Sequence, residues 1–390
     1  MPMHPETIAI HAQTDRTQFN EHSVPLYLTS SFVYEDAETM RAMFADEKEG
    51  YIYSRFTNPN VTEFQEKVRL LEGAESAASF ASGMAAIFAV FAALLKSGDR
   101  VVCCHSVFGA THSILEKHLS RWGIKFTYTD IKKTEEWESA IGADTKMIFV
   151  ETPSNPTLDV IDLEWLGKLS KKHGCILAVD NCFATPVLQQ PVKFGADLVI
   201  HSATKYLDGQ GRVLGGVVAG RKDLLETIKL FARHTGPALS PFNAWVLSKS
   251  LETLALRMER HSENALKIAQ YLEKHKDVES VMYPFLPSHP GYAIARKQMS
   301  RGGGMVSFVI KGGLARGKRF LDSIEMSSLT ANLGDTRTIV SHPASTTHAK
   351  ISEQEREHSG IVPGLIRISA GIEHISDIIE DLEKAFRKSR

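Results

Sequence analysis

The chain has 390 residues, more than one hydrophobic core usually serves, so two or three domains are expected. Its 43% hydrophobic and 23% charged residues are those of a soluble globular protein, and 45 basic against 46 acidic side chains leave no net field to recruit nucleic acid or an acidic membrane surface. The four cysteines, at 103, 104, 175 and 182, form no CxxC pair and no metal spacing, a pattern expected of reduced thiols in a cytoplasmic protein.

Met1 to Gln13 lack the basic-then-apolar layout of a signal peptide. The first sixty residues are polar and loop-like, and read as an arm (1–60) that contacts something other than its own core. From about residue 75 to 220, short β-rich runs alternate with helical patterns. The predicted strands are Ala77–Phe80, Arg100–Cys104, Lys125–Tyr128, Met147–Val150, Cys175–Val179, Leu198–Ile200 and Gly216–Ala219. Such alternation predicts an α/β fold with a large, mostly parallel sheet wrapped on both faces. The longest apolar run, Met84 to Leu95, is twelve residues, too short for a membrane span. Two helices are predicted next, Pro241–Arg257 and Met258–Lys274. A smaller C-terminal α/β domain follows, with strands Gly304–Ile310 and Leu365–Ser369 and helices Gly313–Ser323 and Ile375–Phe386. The expected division is an arm over 1–60, a large domain over 61–255 and a small domain over 256–390.

Sheets of this kind bind ligands beyond the carboxyl ends of their strands. After Ala77–Phe80 comes Ser82-Gly83-Met84, opening a long helix whose N-terminal amides could close on an anion; Ser-Gly also starts many ordinary helices. After Met147–Val150 comes "ETPSNPT", a proline-stiffened loop in which Asn155 either offers an amide to a ligand or merely turns the chain. After Cys175–Val179 comes Asp180, an acid that needs a cationic or donor partner if buried, or that caps a helix. After Leu198–Ile200 comes "HSATKYLDGQGR", in which Lys205 sits beside the hydroxyls of Ser202 and Thr204. A single lysine is usually a surface residue, but the apolar flanks draw this one toward the sheet.

The glycines at 209, 211 and 215 do not satisfy GxGxxG, no GxxxxGK[ST] occurs, and the sixteen histidines include no HExxH, so no metal is expected. One assignment uses all four strand ends. A lysine forms a Schiff base with an aldehyde cofactor, an aspartate pairs with its pyridinium nitrogen, and a helix N-terminus with hydroxyls holds its phosphate. That cofactor is pyridoxal 5′-phosphate.

The ordered set "YSRFTNP" (53–59), "ASGMAA" (81–86), "ETPSNP" (151–156), "AVDNCFATP" (178–186), "HSATKY" (201–206), "HPASTTH" (342–348) and "IRISAGIE" (366–373) resembles the Cys/Met-metabolism family of fold-type-I pyridoxal-phosphate enzymes from about residue 6 to the C-terminus. The resemblance implies that Lys205 is the catalytic Schiff-base lysine and Asp180 the pyridinium partner. It implies that Gly83, Met84, Ser202 and Thr204 bind the phosphate, and that Phe108 stacks on the ring. Tyr53 and Arg55 are expected to reach the phosphate of a neighbouring subunit. Arg367 would clamp the substrate α-carboxylate, as a bidentate guanidinium suits, with Asn155 and Asn332 beside it.

The look of "HSATKYLDGQGR" and "ANLGDTRT" (331–338) implies the branch that converts O-succinylhomoserine and hydrogen sulfide to homocysteine and succinate in methionine biosynthesis. Where many members carry Tyr-Gly, this chain has Phe108-Gly109, and Ala110 replaces the cysteine typical of methionine γ-lyases. Both departures argue against γ-elimination from methionine or cystathionine. Cysteine as the thiol, giving cystathionine, is equally close chemically, and a non-catalytic scaffold would have no use for Lys205, Asp180 and Arg367 together. The resemblance further implies a homotetramer of two active dimers in the cytoplasm.

Overall fold

The computed structural model describes residues 3–346 and 360–390, so the end of "HPASTTH", His348 included, lies outside the described residues. Seven strands form the first sheet: β1 (Ser76–Phe80), β2 (Arg100–Cys104), β3 (Lys125–Thr129), β4 (Thr145–Glu151), β5 (Ile176–Asp180), β6 (Leu198–Ser202) and β7 (Gly216–Gly220). Every predicted strand of this region is present, within a residue or two at its ends. Their order is β1-β7-β6-β5-β4-β2-β3. Pairs among β2 to β6 are parallel, while β7 runs antiparallel to both β6 and β1. All five residues of β5 are buried, as a central strand covered on both faces requires. Strands β1, β2, β4, β5 and β6 therefore end at one edge of the sheet, and the residues following them come together there.

A second sheet contains β8 (Val278–Met282), β9 (Met305–Ile310), β10 (Ser328–Leu329), β11 (Ile339–Ser341) and β12 (Leu365–Ser369), in the order β10-β11-β12-β9-β8. The rings of Phe308, Phe320 and Phe386 meet beneath it, 4.8–5.8 Å apart, and join the helices Gly313–Asp322 and Ile375–Lys388 to β9. The sequence reading located β9 and β12 but not β8, β10 or β11. Strand β8 is a half-exposed edge strand, and β10 and β11 have two and three residues, too few to display a period of two.

The two helices after the large sheet are Pro241–Leu251 and Leu254–Glu273, so the break falls at 252–253 and not after Arg257 as expected. No glycine or proline marks it. Arg257 lies inside the second helix, buried, and donates to the Ser250 carbonyl (2.9 Å) near the end of the first and to the Tyr206 carbonyl (2.7 Å). A guanidinium is thus what closes the first helix.

The first sixty residues hold two short helices, Pro5–His11 and Ala37–Phe44, joined by irregular chain. The arm is pinned to its own body: Asn60 accepts from the Tyr27 amide and donates to the Pro25 carbonyl, both at 2.8 Å, and the Trp245 indole donates to the Val24 carbonyl at 3.0 Å. Its outward side leaves Phe19, Leu28, Val33, Met40 and Phe44 exposed. No described helix is long and apolar enough to cross a membrane.

Candidate active site

Ser82 caps the helix Gly83–Leu94, its hydroxyl accepting from the Ala85 amide at 3.1 Å. The amides of Gly83 and Met84, which a helix cannot satisfy internally, have no acceptor outside the helix among the described residues and can donate to an anion. This helix start is jammed against the end of β6. A Cβ at Gly83 would lie 2.6 Å from Ser202 Cβ and 2.8 Å from Ser202 Cα, and one at Gly216 would strike the Ser82 carbonyl. The missing side chains let three backbone segments close to form a cradle. Ser202 faces Gly83 within it, while the Thr204 hydroxyl closes the Lys205 loop, donating to the Gly215 carbonyl (3.3 Å) and accepting from the Gly215 amide (3.2 Å).

Lys205 extends into a largely buried space, where its Nζ donates to Asn332 Oδ1 at 2.7 Å. Desolvation holds its pKa below the ordinary lysine value, and the Arg367 charge adds to that. Asn332 arrives on a loop that Gly334 presses onto the lysine: with φ of 76°, Gly334 approaches so closely that a Cβ would lie 2.6 Å from the Tyr206 amide nitrogen. Arg367, buried on β12, donates through Nη1 to Asn155 Oδ1 (2.9 Å) and through Nη2 to the Asn332 carbonyl (3.4 Å). Its Nε has no partner among the described residues, and burial pushes its pKa down to about 10. A guanidinium in this condition seeks an anion.

Asp180 ends β5, buried, with Oδ1 accepting from the Cys182 amide at 3.0 Å. Among the described residues no cationic side chain forms an ion pair with it. Burial raises its pKa to about 6. Beside it, in register on β4, stands a second buried acid, Glu151, whose Oε2 accepts from the Phe108 amide at 2.9 Å. The Phe108 ring itself is 43% exposed.

The single chain thus brings together Gly83, Met84, Ser202, Thr204 and Lys205 at one end of the site, Asp180 and Phe108 beside them, and Asn155, Asn332 and Arg367 opposite. Tyr53 and Arg55 make no hydrogen bond to these residues among the described ones. The Arg55 guanidinium lies 4.6 Å from the Phe56 ring centroid and 5.5 Å from that of Tyr53, and donates to the Arg233 carbonyl. The sequence reading passed over Glu151, Arg257 and Gly334. For Glu151 the signal was present, since an acid ending an apolar run is the feature that singled out Asp180.

A model of the Cys/Met metabolism PLP-dependent enzymes matches residues 6–387. The chain belongs to this family. It is 48% identical over 379 residues to an O-succinylhomoserine sulfhydrylase of Pseudomonas aeruginosa, covering 97% of this chain and 94% of that one. It is 42% identical to an L-methionine gamma-lyase of Fusobacterium nucleatum subsp. nucleatum, covering 98% of each. A solved structure of a putative O-acetylhomoserine (thiol)-lyase from Campylobacter jejuni superposes with a TM-score of 0.95 at 34% identity, covering 99% of this chain and 100% of that one; it carries N′-pyridoxyl-lysine-5′-monophosphate. The fold is accordingly fold-type-I α/β, and pyridoxal 5′-phosphate is the cofactor.

The residues fit that cofactor on independent grounds. The helix start at Gly83 is packed against Ser202 and Gly216 so closely that backbone amides and not side chains face the space there, and Asp180 is a buried acid with no ion pair to a Lys or Arg among the described residues. The lysine between them has its amine in a desolvated site.

Proposed function

We propose that the chain catalyses γ-replacement, in which hydrogen sulfide displaces succinate from O-succinylhomoserine to give homocysteine. Pyridoxal phosphate, when bound, supplies an aldehyde that condenses with amines and a pyridinium ring that accepts electron pairs. Lys205 is its covalent anchor. The amides of Gly83 and Met84 hold its phosphate with the Ser202 hydroxyl and with that of Thr204 once it turns its proton from the Gly215 carbonyl, Asp180 keeps its ring nitrogen protonated, and Phe108 covers its face. Arg367 and Asn155 grip the substrate α-carboxylate, which orients the Cα–H bond toward Lys205. Lys205 Nζ, released by the substrate amine and with its pKa lowered by desolvation, removes the Cα proton and returns protons later. Asn332 Oδ1 holds that amine in place meanwhile. Lys205 next takes a Cβ proton, whose bonding pair expels the succinate carboxylate from Cγ; hydrogen sulfide adds its sulfur at Cγ and gives up one proton, which balances the leaving carboxylate, and Lys205 returns the protons to Cβ and Cα.

The observation that carries the choice of reaction is the phenyl ring at 108. It can stack on the cofactor but cannot exchange a proton, so Lys205 is left to conduct the transfers alone. The 48% identity to an O-succinylhomoserine sulfhydrylase favours the same reading, while the 42% identity to a methionine γ-lyase keeps γ-elimination as the second. Residues 61–255 would carry the cofactor and 256–390 the substrate side. The arm, 1–60, would bring Tyr53 and Arg55 to the phosphate of a neighbouring subunit, in a tetramer of two such dimers. The test is product identification with O-succinyl- and O-acetylhomoserine, each with sulfide, cysteine or no thiol, and with methionine. Homocysteine should form from O-succinylhomoserine and sulfide faster than 2-oxobutanoate is released from methionine; the reverse order overturns the reading in favour of the lyase.

A further inference from the structure

Glu151 is the buried group in the site that the mechanism above leaves without a task. It is the last residue of β4, facing Asp180 across the β4–β5 pair. Two carboxyls so placed in an apolar sheet repel each other, so an acid here is a standing cost unless it serves something. Desolvation and Asp180 drive its pKa well above the ordinary carboxylate range, while hydrogen bonds from the Phe108 and Asn155 backbone amides and the charge of Arg367 work against that rise.

Those opposing groups reveal the task. Phe108 follows β2 and Asn155 follows β4, two loops with separate anchorages, and the Glu151 carboxyl, accepting from the Phe108 amide at 2.9 Å, ties the first to the strand end from which the second departs. Phe108 is the residue preceding the short helix Gly109–Ser113, and Glu151 accepts from its amide, the donor that an N3 carboxylate takes in a capping box. Asn155, on the other side, presents its Oδ1 to Arg367 at 2.9 Å.

We propose that Glu151 is a positioning residue that locks the ring-stacking loop at Phe108 to the carboxylate clamp at Asn155 and Arg367, setting the distance between the cofactor ring and the bound substrate carboxylate. This inference rests on the cofactor and substrate roles given above. A glutamate offers the Phe108 amide acceptor oxygens only, whereas a glutamine has a single acceptor and an NH₂ group that cannot accept from that donor.

The experiment compares Glu151→Gln with wild type in three measurements: the dissociation constant of pyridoxal phosphate from the refilled apo-protein, the affinity for L-norvaline by absorbance titration of the holoenzyme, and kcat against KM. Because one buried amide loses its acceptor, both affinities should weaken about tenfold, with KM rising more than kcat falls. Combining Glu151→Gln with Phe108→Ala should give a cofactor affinity no weaker than that of Phe108→Ala alone, since the two act through one contact. Wild-type affinities in Glu151→Gln, or strictly additive losses in the double variant, would overturn the inference. If Glu151→Gln does not fold, Glu151→Asp, which shortens the reach by one methylene, is read in the same way. Both affinities are measured without any thiol, so they stand even if the sulfide reaction itself proves absent.

Discussion

Burial acts on Asp180 and Lys205 in opposite directions, raising the carboxyl and lowering the amine, so each titrates closer to neutrality than its free counterpart. For Asp180 this is a stability statement. Its pKa is about 6 in the cofactor-free fold and near the ordinary aspartate value when unfolded, so the charged form is disfavoured by folding at pH 7. That cost shrinks as the pH falls from about 6 toward 4 and is gone below the unfolded pKa, where both states hold the proton. Cofactor-free Asp180→Asn should therefore be more stable than wild type at pH 7, by on the order of 2–3 kcal/mol, and the gain should shrink toward zero near pH 4. The holoenzyme should show the opposite sign in function, retaining cofactor but losing most turnover, because a neutral amide does not favour the pyridinium. Melting curves of apo-protein at the two pH values, beside turnover of the refilled enzyme, check both halves. A stability gain that does not change with pH would show that burial of the charge is not its source.

At the scale of single elements, the helix Gly83–Leu94 shows how a strand end becomes a binding site. Its apolar body packs on the sheet, Ser82 caps it, and Gly83 exists because Ser202 fills the space a side chain would take. Gly83→Ala should force the helix start away from β6, at about 1–3 kcal/mol in stability, as overpacking does. The same shift opens the phosphate cradle, so cofactor affinity should drop about tenfold or more when one charge-assisted amide bond is lost. Thermal melting and a cofactor titration measure the two effects, and a variant with wild-type affinity would place the phosphate elsewhere. The break between helices Pro241–Leu251 and Leu254–Glu273 belongs to this scale too. Nothing local in Glu252-Thr253 announces it, and the turn depends on Arg257 reaching the Ser250 and Tyr206 carbonyls.

For the whole molecule, the lack of any Arg55 contact to the Lys205 loop among the described residues and the exposed side chains at Phe19, Val33 and Phe44 are what assembly with a second copy would explain. If Arg55 serves a neighbour's phosphate, Arg55→Ala and Lys205→Ala should each be nearly inactive alone. A mixed dimer holds one whole site, because the Arg55→Ala chain supplies Lys205 and the Lys205→Ala chain supplies Arg55. Random pairing makes about half the dimers mixed and leaves half their sites whole, so roughly a quarter of wild-type activity should return after unfolding, mixing and refolding. No rescue, with exchange confirmed by a mass tag, would place Arg55 outside the neighbouring site.

Much of this protein was legible in local patterns because local chemistry produced them. The seven strands of the first sheet are runs of β-branched and small apolar residues bounded by turn formers, and β5 is buried from end to end for that reason. Asp180, Ser202 and Lys205 were visible because a polar group just past such a run has few places to go except the sheet's carboxyl edge. Packing alone decided the rest. Strands β10 and β11 are too short to carry a period; β11 exists because β12 offers it an edge, and β10 because β11 does. Asn332 meets Lys205 across 127 positions of sequence, and Asn155 meets Arg367 across 212, pairings that no window along the chain could register. Glu151 carried the same signal as Asp180, and only its geometry, aimed at the Phe108 amide and away from bulk water, separates a positioning group from a cofactor partner.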